Sequence, residues 1–187
     1  MQPKKWKLVS KKDVSPSKWF PIEERVYKMP SGKIVDDFTV TTLADVAMIV
    51  PITKDKKVVL ANQYKPGTDE VMMQFPAGRI EKNHKSMDET AQHELEEEVG
   101  IRVGLDQLTQ FAKLSGFSTK ATEIVYCYLA VDCEFNSQQH FDPTEEIEVK
   151  VLDFAELDQL IANGTIFCAQ TIAEWELAKK KFPEIFG

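Results

Sequence analysis

The strongest constraint on this chain is a pair of short apolar runs set close together. Val46-Ala47-Met48-Ile49-Val50-Pro51-Ile52 is continuous, and Val58 to Gln63 repeats the pattern after the charged turn Lys54 to Lys57. Residues that are apolar at consecutive positions leave no polar face for water, so both runs suit buried strands covered by other elements. Neither approaches the roughly 20 apolar residues needed to cross a bilayer. The basic start, Met1 to Lys12, lacks the apolar stretch of a signal peptide, so neither membrane insertion nor export is expected.

Around this pair the chain reads as a β meander followed by helices. Phe20, Ile22, Val26 and Tyr27 lead into the turn Pro30-Ser31-Gly32-Lys33, and Ile34 to Thr41 returns as a strand. After the break at Pro66-Gly67 comes a short strand, Val71 to Phe75, which ends at Pro76-Ala77-Gly78. Ser86 to Val99 reads as a helix: Ser86 and Glu89 have capping-box spacing, Met87, Ala91, Leu95 and Val99 form an apolar line, and Gly100 suits a left-handed cap. Strands follow at Thr109 to Leu114, Ile124 to Val131 and Ile147 to Leu152. Helices close the chain at Phe154 to Ala162, stopped by Asn163-Gly164, and at Ala169 to Lys181. Strands first and helices later imply an α+β class, a mixed sheet sandwiched between helices (α/β/α).

At 187 residues this is one main domain with a short extension, large enough for a core without staples. The odd count of three cysteines, Cys127, Cys133 and Cys168, shows neither a disulfide framework nor a thiolate zinc spacing, and a reducing cytoplasm is the simplest setting. With 23 Lys and Arg against 30 Asp and Glu the net charge is −7, which argues against binding nucleic acid. A phosphate-bearing small ligand stays open, because a metal ion can supply the positive charge.

One helix breaks its own local rules. Four acids fall within Glu94-Leu95-Glu96-Glu97-Glu98, just before Gly100, where the helix dipole is already negative. Glu94 and Glu98 add like-charge repulsion at i, i+4. A repeated local penalty of this kind points to a functional site, and a divalent cation would turn the repulsion into coordination. At 100° per residue Glu94, Glu97 and Glu98 share a face, Leu95 and Val99 turn to the core, and Glu96 lies off the cluster. Three carboxylates suit a hard ion such as Mg²⁺, which commonly shares its shell with substrate phosphates. From charge alone, a solvated acidic face is the plain alternative.

The loop upstream bears on that choice. Phe75-Pro76-Ala77-Gly78-Arg79-Ile80-Glu81, followed by Ala91-Gln92-His93-Glu94-Leu95-Glu96-Glu97-Glu98-Val99-Gly100-Ile101, resembles the Nudix box of the Nudix hydrolases. Gln63-Tyr64-Lys65, Gly116-Phe117-Ser118 and Glu145-Glu146-Ile147-Glu148-Val149 resemble the ADP-ribose pyrophosphatase branch, and the similarity runs from about residue 19 to 180. The resemblance implies a Nudix-like fold, with an N-terminal β extension (1–43) that serves dimerisation and a hydrolase domain (44–187). It implies Mg²⁺ or Mn²⁺ as cofactor, a nucleoside diphosphate sugar as substrate with ADP-ribose favoured, and a homodimer in which both chains contribute to the nucleotide pocket.

Residue by residue, the resemblance gives the metal to the Ala77 carbonyl, Glu94 and Glu98, with Glu97 joining when more than one ion binds. Glu97 and Glu145 carry catalysis, Glu145 as the base that deprotonates the attacking water, with Glu146 as the fallback. Arg79 and Lys65 are candidate phosphate contacts, and Gly116 and Trp19 are candidate substrate contacts, Trp19 through its π face. Core packing or a dimer contact is the alternative for Trp19.

The chain also departs from the family pattern. The Arg before Glu94 is His93, whose imidazole cannot make a bidentate fork. The box Glu is Lys85, the loop from Gly78 to His93 is one residue longer than usual, and Ser115 replaces a proline of the ADP-ribose signature. Hydrolysis of another nucleoside diphosphate derivative, or a degenerate domain that senses nucleotide without turnover, therefore stay open beside the leading reading. His93 is given a structural role, and His84 and Lys85 are read as solvated loop residues outside the site.

Overall fold

The computed structural model describes residues 2–81, 84–141 and 143–187, arranged as two compact units. The first takes residues 1–45 with 115–124, the second 46–114 with 125–187. In the first unit β1 (Lys7–Asp13), β2 (Ile22–Lys28) and β3 (Ile34–Thr41) form an antiparallel sheet in that order. Met29 and Lys33 close the hairpin between β2 and β3 with a 2.8 Å backbone bond, and Gly32 takes the positive φ the turn needs. Segment 115–124 joins this unit through backbone bonds between Thr41 and both Lys120 (2.7 Å) and Thr122 (3.0 Å). Trp6, Tyr27 and Phe38 pack edge to face on this sheet, with centroids 5.7 to 6.3 Å apart.

The second unit is built on a mixed sheet of seven strands among the described residues. Its main path runs β10 (Ile147–Asp153), β5 (Lys57–Lys65), β4 (Val46–Thr53), β9 (Val125–Cys133), β8 (Leu108–Leu114). Only the β4–β9 pair is parallel. β4 and β5 meet at Ile52 and Val58 and then part, and the gap takes β6 (Glu70–Gln74) on β5 and β7 (Ala77–Arg79) on β4. That splay brings the Ala77-Gly78-Arg79 backbone into the sheet beside the helix that follows.

The two apolar runs are buried on both faces because each face meets helices. Ala47 and Ile49 of β4 and Val59 and Ala61 of β5 pack with Ala91, Leu95 and Val99 of α1 (Met87–Val99). Met48, Val50 and Ile52, with Val58 and Leu60, pack on the opposite face with Leu157 of α2 (Phe154–Ala162) and Trp175 and Ala178 of α3 (Ala169–Lys181). The period of two along each strand thus splits one continuous run between two cores. A short α4 (Pro183–Phe186) follows, with Phe186 packed on Trp175. No helix among the described residues is long and apolar enough to cross a membrane.

The α+β sandwich expected from the sequence is the architecture observed. The expected span of α1 differs only at its start, where Ser86 is the cap and its Oγ accepts from the Glu89 N–H at 3.1 Å. Glu89 reaches back to the Lys85 N–H at 2.7 Å, one residue before the cap, so the capping box is offset by one position. β1 and β7 were not anticipated. β1 is exposed along its whole length and carries a charged sequence, and β7 is three residues long with a glycine at its centre, so neither leaves a hydrophobic alternation to read.

Candidate active site

The acidic stripe is positioned by α1 lying against β4 and β7. Leu95 and Val99, fully buried, pin the last turns of the helix to the sheet, and this turns the acidic stripe toward the Ala77-Gly78-Arg79 backbone. Gly78 lets the Glu94 carboxylate lie directly on the β7 backbone, since a Cβ there would push that side chain aside. Glu98 is buried behind it, and its Oε2 accepts from the Ala77 N–H at 2.9 Å. Gly100 ends the helix in the left-handed region at φ 70°, its N–H bonding the Glu96 and Leu95 carbonyls.

A cavity of about 630 Å³ opens over this stripe. Glu81, Glu94, Glu97 and Glu145 contribute carboxylates to its lining, Lys65 and Arg79 contribute cations, and Ala77 and Gly78 form part of its floor. Of the residues singled out in the sequence, Lys65, Ala77, Arg79, Glu94, Glu97 and Glu145 therefore lie on one cavity, with Glu98 bonded to its floor. Trp19 and Gly116 belong to the first unit, where Trp19 is 73% exposed. Glu146 lines a neighbouring cavity with Gln63 and Tyr64. Glu96 turns away from the others and pairs with Arg102 and the Ser137 hydroxyl, as its position off the cluster implies.

Electrostatics mark the same spot. Burial, and then the Glu98, Glu97, Glu145 and Glu81 carboxylates, push Glu94 up to about 8. Burial pushes Glu98 up to about 7, against the Ala77 N–H and Lys65, which favour its charged form. The Ser137 and Arg102 contacts hold the outlying Glu96 below the usual carboxylate range, Arg102 first. Among the described residues no three His, Cys, Asp or Glu side chains form a ready-made ion cage. The carboxylates at Glu94, Glu97 and Glu98 are nevertheless crowded oxygen donors whose mutual repulsion helps to raise Glu94, and a hard divalent cation would relieve it.

All three histidines of the chain, His84, His93 and His140, also line this cavity. The sequence offered no periodic signal for two of them: His84 and His140 sit in loops that the fold carries to the rim. The reading of His84 as a solvated residue outside the site is corrected here, since its ring stacks on His93 and lines the cavity. Lys85 points a well-exposed ammonium at Glu89, 3.9 Å away, and is not part of the lining.

Geometry of this kind defines a class, and comparison with known proteins places the chain within it. A family model described as NUDIX domain matches residues 42–174. The chain is 26% identical over 167 residues to an ADP-ribose pyrophosphatase of Bacillus subtilis (strain 168), covering 88% of each protein. It is 33% identical over 110 residues to an ADP-sugar pyrophosphatase of Mus musculus, covering 54% of this chain and 50% of that protein. A crystal structure described as an ADP compounds hydrolase superposes with a TM-score of 0.83 at 23% identity, covering 98% of this chain and 97% of that one, and so shares the fold. The chain belongs to the Nudix family. Within that family it resembles the ADP-ribose pyrophosphatases.

Proposed function

We propose that the protein hydrolyses the pyrophosphate bond of a nucleoside diphosphate sugar, ADP-ribose before others, to a nucleoside monophosphate and a sugar phosphate. The observation that carries this reading is the convergence of Glu94, Glu97 and Glu145 with Lys65 and Arg79 on one cavity, Glu98 lying behind its floor. The ADP-ribose and ADP-sugar pyrophosphatases among its relatives support the substrate class.

In this scheme Glu94, Glu97, Glu98 and the Ala77 carbonyl hold Mg²⁺ or Mn²⁺, which when bound neutralises the diphosphate and lowers the pKa of water. Arg79 and Lys65 orient phosphoryl oxygens, Arg79 as a planar fork and Lys65 as a point charge. Glu145 takes the proton of the attacking water, and Glu146 is the reserve. Gly116 and the π face of Trp19 contact the nucleoside in a homodimer whose two chains share each nucleotide pocket, with residues 1–43 as the dimerisation element. The free thiols of Cys127, Cys133 and Cys168 suit a reducing cytoplasm.

Release of monophosphate from ADP-ribose, other nucleotide sugars and dinucleotides, with Mg²⁺ or Mn²⁺, tests the scheme beside a Glu97→Gln control. Metal-dependent turnover that the control abolishes is the expected result. Saturable nucleotide binding without turnover would replace the hydrolase by a nucleotide sensor.

A further inference from the structure

The face of α1 that carries the acids does not end at Glu94. Counting back by three and four, the same stripe continues through His93 to Thr90, and both of those residues hold His84, which comes from the preceding loop. The His84 and His93 rings are stacked, 4.9 Å between centroids and 6° from parallel. The Thr90 hydroxyl, on a fully buried residue, lies 3.0 Å from His84 Nδ1. The Glu81 backbone N–H reaches the same Nδ1 at 3.5 Å. The Thr90 hydroxyl has one proton and two acceptors in reach, His84 Nδ1 and the Ser86 carbonyl at 3.2 Å; with Nδ1 accepting from the Glu81 N–H, that proton goes to Nδ1 and the neutral ring carries its own on Nε2. His84 is thus held on two sides by α1, while its ring lines the cavity shared by Glu94, Glu97, Arg79 and Lys65.

Building on the diphosphate-hydrolase reading, we propose that His84 is a substrate-binding residue whose Nε2–H donates to an oxygen of the bound diphosphate sugar. His93 acts as a positioning residue that fixes the plane of the His84 ring. Both members of the pair fall where the sequence departs from the family pattern, His93 in place of the Arg before Glu94 and His84 in the lengthened loop. Its contribution is to substrate affinity, because the donor is fixed before the substrate arrives and bonds ground and transition states alike.

Two variants separate the donor from the stack. His84→Phe keeps a flat ring against His93 and loses the N–H, and it is expected to raise KM by about ten-fold or more with kcat within about three-fold, as for a lost bond to a charged acceptor. His84→Gln loses the ring but returns an N–H near the Nε2 position, and it is expected to recover most of the affinity. Two readouts independent of turnover accompany them: ¹⁵N shifts of His84, expected to show the Nε2–H tautomer, and the Mg²⁺-induced rise in melting temperature, expected to match wild type in both variants. An active wild type whose His84→Phe variant keeps its KM, or a His84 found as the Nδ1–H tautomer, overturns this assignment and leaves the hydrolase standing. A wild type that neither binds nor cleaves any nucleoside diphosphate derivative overturns the hydrolase reading, and this contact with it.

Discussion

Two helices of the second unit each bury a glutamate, and they bury it in opposite ways. Glu98, near the end of α1, has the Ala77 N–H on its carboxylate and Lys65 close enough to favour its charge, and its neighbours Glu94 and Glu97 line a cavity open to solvent. Glu174 of α3 is wholly buried, and among the described residues neither of its carboxyl oxygens has a hydrogen-bond partner, nor does the Thr171 hydroxyl one turn before it. The Tyr128 N–H and Cys127 thiol face Glu174 without closing a bond, and burial pushes its carboxyl well above the usual range. A buried acid is therefore not a site by itself. Glu98 belongs to one because other charged groups and a cavity meet it there, whereas Glu174 is surrounded by core.

The largest expected effect breaks the first half of that comparison. Glu97→Gln and Glu98→Gln should each lower kcat by at least about 100-fold while the fold survives, since a metal contributes several kcal/mol and each 1.4 kcal/mol or so is ten-fold. Steady-state kinetics with circular dichroism as the folding control checks it; near-normal turnover in both variants would remove the coordination scheme.

Glu174 should behave in reverse. Glu174→Met removes two unpartnered oxygens at similar volume and is expected to raise the melting temperature by about 2–6 °C with turnover within two-fold. A large loss of activity would instead tie α3 to the site.

Next in size is the pH dependence of the metal-free protein. Glu94 and Glu98, raised to about 8 and about 7, bind protons more tightly folded than unfolded. Their contribution to stability is complete below the ordinary carboxylate range and is lost as pH rises through 7 to 8. Thermal melts without metal should therefore fall between about pH 5 and pH 9, and added Mg²⁺ should restore stability most at the alkaline end. A flat profile would mean that these carboxylates titrate normally. The smallest effect belongs to the outlying acid: Arg102→Ala removes an exposed partner of Glu96 and should shift the melting temperature by less than about 2 °C.

How much of this was legible beforehand depends on which residues carry their own pattern. α2 and α3 were readable to the residue because their caps and apolar spacing are local, as with Asn163-Gly164 after α2. The acidic stripe was readable because helical geometry alone puts Glu94 and Glu97 on one side and Glu96 on another. Glu174 was not, since nothing near Trp175 in sequence distinguishes an acid facing solvent from one driven inward. His84 was missed for a related reason: a loop histidine gains a role only from what packs against it, here Thr90 and His93.

By itself the sequence determined the class of fold, the order of its strands and helices apart from β1, β7 and α4, and the existence of a crowded carboxylate face, because hydrophobic period, capping and charge spacing act over a few residues. Only the tertiary structure decided where that face points. The splay of β4 from β5 and the insertion of β7 bring the Ala77-Gly78 backbone against Glu94 and Glu98. Loops distant in sequence then supply Lys65, Glu145 and the histidines to the same cavity. These contacts are set by how the cores on the two faces of the sheet pack, and that depends on the whole unit rather than on any one segment.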